Sequence, residues 1–178
     1  MSIELRDDTG MRIGYLDMAL GWDPARQWFQ EGEIDLNAAA LLFRGDQLTD
    51  VVYHEQLMSQ DGSVRHHGDS VTGEGKGDNE VITVDLTRVS PEVSTVLFLV
   101  TCYSGHTFAD IGNAFCRLVD GASGTEITRY DLSGVPASGV VMGAVVRTSG
   151  GWDFRTINEG IEAQHPVEAA PYLGRYLG

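Results

Sequence analysis

Oxygen-bearing side chains are concentrated in one glycine-rich stretch, residues 68–80, which reads GDSVTGEGKGDNE. It carries the four carboxylates of Asp69, Glu74, Asp78 and Glu80, and Asn79 adds an amide. Interspersed glycines let the backbone turn without a steric penalty at positive φ. Carboxylates crowded in this way must stay in water or be neutralised, and Ca²⁺, with roughly six to eight oxygen ligands, is a suitable neutraliser. The stretch therefore predicts either a Ca²⁺-binding loop or an acidic, solvated hairpin loop.

Two familiar loop motifs are excluded by the spacing. An EF-hand loop that began at Asp69 would need an acidic or amide residue at its third position and glycine at its sixth. Those positions hold Val71 and Glu74. A phosphate-binding loop around Lys76 would need glycine at position 70 and serine or threonine at position 77, which hold Ser70 and Gly77. The stretch belongs to neither class.

A second group of oxygen donors precedes this stretch, namely Asp23, Asp35 and Asn37. Residues two apart on a strand point to the same face, so Asp35 and Asn37 are expected to share one. They mark either part of a polar site or the solvent-facing start of a strand. Asp61, followed by glycine, is a typical turn residue.

The histidines and cysteines do not form a zinc-binding or catalytic pattern. His66 and His67 are adjacent, so on a strand they would point to opposite faces and could not easily bind one metal ion. Cys102 and Cys116 lie in apolar runs, which predicts two buried, reduced thiols. His106 follows Ser-Gly, but there is no Gly-x-Ser-x-Gly elbow. A non-enzymatic protein is expected; an enzyme using His106 or Cys102 is the alternative.

Composition restricts the partners. The chain has 178 residues, 12 basic and 26 acidic side chains, a net charge of −14 and a sequence pI near 4.5. This length predicts a single domain, residues 1–178. The acidic surface disfavours nucleic acid and anionic membranes and favours cations. Apolar runs fall short of the roughly 20 residues that span a bilayer. Residues 1–10 show no secretory signal, so a soluble cytoplasmic protein is expected.

Most apolar segments alternate with period two or form short continuous runs between turn residues, which is typical of strands. Segment 95–103 is apolar on both faces and predicts a central strand, whereas 81–86 has one apolar face. About eleven short strands predict a two-sheet sandwich or a barrel. The predicted strands are 3–6, 12–20, 34–43, 50–54, 63–67, 81–86, 95–103, 114–119, 126–131, 140–147 and 152–157.

Two helical pieces are expected, a short turn over 107–111 and a C-terminal helix over 165–176. Pro171 predicts a break or kink in the second. Near-helical spacing predicts that this helix docks on the rest of the protein through Val167, Ala170, Leu173 and Leu177.

Several of these motifs, in this order, resemble those of the TerD tellurium-resistance family, from about residue 12 to the C-terminus. The acidic stretch 68–80 is the most specific of them. The other motifs are Gly21-Trp22-Asp23, Ile34-Asp35-Leu36-Asn37-Ala38, Asp61-Gly62-Ser63-Val64, Asn113-Ala114-Phe115-Cys116-Arg117, Tyr130-Asp131-Leu132 and Gly151-Trp152-Asp153-Phe154-Arg155.

The resemblance implies an all-β fold, a two-sheet antiparallel β-sandwich with a short C-terminal helix. It also implies one or two Ca²⁺ ions bound by clustered loops at one end. The expected function is that of a non-enzymatic interaction or scaffold module in bacterial tellurite resistance or general stress response, with other Ter proteins as partners. The ligands implied by position are Asp23, Asp35, Asn37, Asp69, Glu74, Asp78, Asn79 and Glu80, with backbone carbonyls near Val71 and Gly73.

Three positions depart from the family pattern. The family usually has Asp at the positions of Asn37 and Asn79, and Asn at that of Ser70. Two formal charges are lost, and Ca²⁺ affinity depends on the number of charged ligands and on site rigidity. We therefore expect weak binding or a single ion. The alternative is an interaction domain that has lost metal binding.

Overall fold

A computed structural model describes residues 2–22, 36–67, 80–102, 107–110, 113–163 and 165–177. Within them the chain forms eleven strands, each overlapping one of the predicted segments. The strands are β1 (Ser2–Glu4), β2 (Tyr15–Gly21), β3 (Leu36–Arg44), β4 (Gln47–Val52), β5 (Val64–His66), β6 (Glu80–Asp85), β7 (Thr95–Cys102), β8 (Phe115–Asp120), β9 (Glu126–Asp131), β10 (Gly139–Thr148) and β11 (Gly151–Ile161).

The strands form two sheets in which every pairing is antiparallel. One sheet has the order β1-β11-β10-β7-β3-β4, and the other has the order β5-β6-β2-β8-β9. Most neighbours in the sheets are not neighbours in sequence, as with β2 between β6 and β8. The predicted two-sheet antiparallel sandwich is confirmed, and the barrel alternative is excluded.

Strand β7 contributes residues to both hydrophobic layers of the protein, one on each face of its sheet. All eight of its residues are buried, as its two apolar faces predict. Val96, Phe98 and Val100 pack in the core between the sheets, together with Met18 and Ile82 of the facing sheet. Its other face belongs to a second cluster, in which Leu97 and Leu99 pack with the C-terminal segment. The six-stranded sheet is thus covered on both faces.

The C-terminal segment is broken where Pro171 predicts a break. It consists of a one-turn helix α1 (Pro166–Ala169) and two 3₁₀ turns (Ala170–Tyr172 and Gly174–Tyr176). His165 caps α1, because its Nδ1 accepts a hydrogen bond from the Val167 backbone N–H at 3.1 Å. A further 3₁₀ turn, Phe108–Asp110, lies within the predicted helical turn 107–111.

The docking face of this segment differs from the predicted one at Val167, whose exposed fraction is 51%. Ala169, Leu173 and Tyr176 are buried against the sheet, and Ala170 and Leu177 are partly buried beside them. Pro166 is buried as well. The spacing argument assumed a continuous helix, and the change from α-helix to 3₁₀ turns rotates the buried face.

Two boundary differences have local causes. β4 begins at Gln47, three residues before the prediction, because a two-residue turn at Gly45 pairs Arg44 with Gln47. β11 continues to Ile161 rather than 157, pairing with the start of β10. β10 also contains a bulge between Val141 and Gly143, where its register shifts against both β7 and β11. An added Cβ at Gly143 would lie 2.7 Å from the Arg155 carbonyl oxygen and against the Phe154 ring. No helix within the described ranges is long and apolar enough to span a bilayer.

Candidate functional site

The described residues that flank the predicted ligands in sequence lie at one end of the sandwich. Glu80 pairs with Leu20 at the end of β2, and His67 donates its backbone N–H to Val81. In the other sheet Leu36 pairs with Cys102. A hydrogen bond from the Ala38 backbone N–H of β3 to the Glu80 side chain of β6 joins these two strand ends. We call this end the loop end.

Glu80 links the two sheets at the loop end. It lies on the core face of β6, in alternation with Ile82 and Val84, and only 2% of its surface is exposed. Its Oε1 accepts a hydrogen bond from the backbone N–H of Ala38 in β3 at 2.9 Å. The same oxygen lies 2.8 Å from Nε2 of the buried His66 on β5. An ionised Glu80 can only accept, and in that state His66 Nε2 is the donor of this contact.

Asn37 lies at the same end but on the other face of β3. Leu36 and Ala38 pack in the core between the sheets, whereas Ala39 belongs to the cluster under the C-terminal segment. By strand alternation the Asn37 side chain shares that outer face, where it is 2% exposed. Glu80 and Asn37 are therefore brought to one end of the molecule but not to one side of β3.

The oxygen donors of both residues fit Ca²⁺, a hard cation that takes carboxylate and amide oxygens. Their faces indicate that they would serve separate sites rather than share one ion. In the described part of the chain, no group of three or more His, Cys, Asp or Glu side chains is close enough to hold a metal ion. The remaining predicted ligands lie outside the described residues; they are Asp23, Asp35, Asp69, Val71, Gly73, Glu74, Asp78 and Asn79.

Two buried residues at the loop end were not predicted as site residues. His66 is 1% exposed and contacts Glu80, whereas His67 is exposed and lies 2.7 Å from the Thr83 hydroxyl. The sequence predicted that these two side chains point to opposite faces of the strand. The apolar Val64, which shares a face with His66, indicates that His66 is the one that points inward. Thr101 is paired with Asn37 in the sheet, and its buried hydroxyl has no hydrogen-bond partner among the described residues.

Both cysteines are buried and neither is in a disulfide, as predicted. Burial raises the pKa of the Cys116 thiol to about 12, so its thiolate form is scarce at neutral pH. Cys102 lies in the core between the sheets. His106 lies outside the described residues.

Asp61 is a turn residue, as predicted, and it holds two loops together. Its Oδ1 accepts hydrogen bonds from the Ser59 hydroxyl at 2.7 Å and from the Ser63 hydroxyl and backbone N–H at 2.6 and 2.9 Å. Its Oδ2 accepts from the Ser90 backbone N–H at 2.9 Å. Burial alone would raise its pKa, but the hydrogen bonds outweigh burial and lower the pKa from 3.8 to about 2.

Together these features define an antiparallel β-sandwich with a polar end at which a buried carboxylate joins the two sheets. Residues 2–165 match the family model of the TerD domain. The chain belongs to the TerD family. The match begins earlier than the expected residue 12 and ends before the C-terminal segment.

Known relatives agree with this assignment. The chain is 38% identical over 154 residues to tellurium resistance protein TerZ of Serratia marcescens, covering 82% of this chain and 79% of the relative. It is 31% identical over 166 residues to stress response protein SCP2 of Bacillus subtilis, covering 83% of each. The crystal structure of a TerD homologue from Streptomyces coelicolor superposes with a TM-score of 0.79 and 26% identity, covering 91% of this chain and 98% of that one.

Proposed function

We propose that this protein is a Ca²⁺-binding, non-enzymatic module of bacterial tellurite resistance or general stress response. It acts in the cytoplasm as an interaction or scaffold domain for other proteins of the Ter group. Family membership supports the physiological part of this proposal, because relatives carry the names tellurium resistance protein and stress response protein.

The observation that carries the Ca²⁺ part is the contact of Glu80 with both sheets. Glu80 ends the acidic stretch 68–80 and begins β6, and its Oε1 accepts the Ala38 N–H of β3. A change in charge next to Glu80 therefore acts on the buried junction of the two sheets. This arrangement gives a cation a way to alter the stability of the whole sandwich rather than that of one loop.

The charge balance supports the same reading. The chain carries a net charge of −14, and four acidic residues fall within residues 68–80. Self-repulsion of this kind destabilises a compact state, and bound divalent cations relieve it. Two Ca²⁺ ions would add four positive charges and bring −14 to −10.

The test is a thermal unfolding experiment on chelator-treated protein with Ca²⁺, with Mg²⁺ and with neither. At 100 times Kd, a ligand specific for the folded state stabilises it by about 2.7 kcal/mol. For a chain of this size the expected rise in Tm is about 5–10 °C. Calorimetric titration then gives the number of ions. An unchanged Tm at about 5 mM Ca²⁺ would contradict the proposal, since even weak Ca²⁺ modules bind at roughly 0.1–1 mM.

A second candidate is an interaction domain of the same family that binds no metal. It is favoured by the protein groups that already contact Glu80, because His66 and the Ala38 N–H both reach Oε1. Two further features favour this candidate. Asn37 lies on the other face of β3, and position 79 holds an uncharged Asn. This candidate requires a Tm that is independent of Ca²⁺ in the same experiment.

A further inference from the structure

A second candidate site lies at the end of the sandwich opposite the loop end. It is a cleft of about 390 Å³ between the start of β2, the end of β6 and the β10–β11 turn. Gly14 and Leu86 line it, and their neighbours Tyr15 and Asp85 are paired at the far end of the β2–β6 ladder from Glu80. Thr148 lines it at the far end of β10 from Gly139, which lies beside Thr101.

Arg147 presents a fixed positive charge to this cleft. Its guanidinium carbon lies 4.3 Å above the centre of the Trp152 ring, which also lines the cleft. Its Nε and one terminal nitrogen donate to the carbonyls of Val93 and Ser90, each at 3.0 Å. Carbonyls and an aromatic face orient a guanidinium but do not cancel its formal charge.

Arg12 supplies a second positive charge to the same cleft. Its side chain lies over Gly151, where an added Cβ would be 3.5 Å from Cδ and Nε. Arg12 makes no hydrogen bond or ion pair with any described residue, unlike Arg6, which pairs with Glu4. Its donors are thus available to a ligand.

The lining contains no carboxylate among the described residues, although acidic side chains outnumber basic ones by 26 to 12 in the chain. The apolar walls come from Leu5, Ile13 and Leu86, and hydroxyl-bearing residues line the cleft at Thr87, Thr148 and Ser149. Two uncompensated guanidinium groups beside apolar walls are a combination suited to a ligand with a charged head and an apolar body. Arginine presents a fork of donors that matches oxyanions, and small-molecule sites are mostly apolar with a few placed polar groups.

We propose that this cleft binds a small organic anion, in which one carboxylate, sulfonate or phosphate group is carried on a compact apolar body. The anionic group contacts Arg12 and Arg147, and the body packs against Leu5, Leu86 and the Trp152 ring. The site lies at the other end of the molecule from the proposed metal site, so its occupancy does not depend on Ca²⁺ binding.

The experiment uses 8-anilinonaphthalene-1-sulfonate as the probe, with its uncharged counterpart N-phenyl-1-naphthylamine as the chemical control. Fluorescence titration and calorimetry of the full chain should give one equivalent of bound sulfonate. Arg12→Gln should weaken it about tenfold, the loss expected for charge-assisted hydrogen bonds. Arg147→Gln should also weaken it, and the uncharged probe should bind less tightly than the sulfonate.

Arg44→Gln is the matched control, because it removes the same charge from an exposed arginine at this end that does not line the cleft. It should leave the affinity unchanged. Arg12→Gln breaks no described hydrogen bond, so its circular dichroism spectrum should match that of the wild type. Equal affinities of Arg12→Gln and Arg44→Gln, several bound equivalents, or equal binding of the uncharged probe would each overturn the proposal.

Discussion

The Asp61 carboxylate offers the most direct test of how the loops are held on the sandwich. It accepts four hydrogen bonds, three from the turn that contains it and one from the Ser90 backbone N–H, 29 residues away. Asp61→Asn removes the charge with little change in volume. It also replaces one accepting oxygen with an N–H₂ group, so an acceptor is lost and a donor faces a donor.

The size of the effect follows from the pKa of Asp61, which falls from 3.8 to about 2 on folding. One pKa unit corresponds to about 1.4 kcal/mol of preference for the charged form, so the ionised carboxylate stabilises the fold by about 2 kcal/mol at pH 7. Asp61 is only partly buried, so solvent screening reduces this figure towards about 1 kcal/mol. We expect Asp61→Asn to lower the free energy of unfolding by about 1–2 kcal/mol at pH 7.

The pH dependence has a defined sign. Because folding lowers the pKa, the contribution of Asp61 is fully present above the unfolded value of 3.8 and is lost as pH falls towards about 2. The difference between wild type and Asp61→Asn should therefore be constant from neutral pH down to about pH 5 and shrink below it.

Urea unfolding followed by circular dichroism at pH 7, 5 and 3.5 measures this difference. Asp46→Asn is the matched control, since Asp46 is an exposed turn residue with no hydrogen bond to a described residue. In a chain of charge −14, either change relieves the same general repulsion. If the two variants agree within about 0.5 kcal/mol at pH 7, the reasoning from the Asp61 hydrogen bonds is wrong.

Two further predictions concern the buried junction and the sheet. His66→Ala should lower the free energy of unfolding by about 3 kcal/mol, because the buried Glu80 carboxylate loses the N–H that lies 2.8 Å from it. His66→Gln, which keeps an N–H donor, should lose less. Gly143→Ala should cost about 3 kcal/mol, because the new Cβ meets the Arg155 carbonyl at 2.7 Å. Gly174→Ala, with nothing within 4 Å of the added Cβ, is its control.

Urea unfolding measures these variants as well. Equal losses for His66→Ala and His66→Gln would show that the donor is unimportant and that only packing is affected. A Gly143→Ala variant as stable as Gly174→Ala would show that the bulge in β10 can move to accept a side chain.

Local pattern determined much of the fold. Period-two alternation and short continuous apolar runs located all eleven described strands, because the residue types of a strand record whether one or both of its faces are buried. The apolar character of β7 on both faces predicted its central position, and Pro171 predicted the break in the C-terminal helix. The adjacent His66 and His67 were predicted to diverge, and they do. These features depend on neighbours within a few residues, so the sequence by itself contains them.

Tertiary structure decided the rest. The strand β2 lies between β6 and β8, and Glu80 reaches Ala38 across 42 residues, because sheet topology sets those contacts. The resemblance placed Asn37 and Glu80 in one set of ligands, yet the pleat of β3 places them on opposite sides of that strand. Arg12 and Arg147 line one cleft although they are 135 positions apart in the sequence. A sequence shows which residues are apolar and which carry charge. Long-range strand pairing determines which of them lie close together in space, and a functional site requires that proximity.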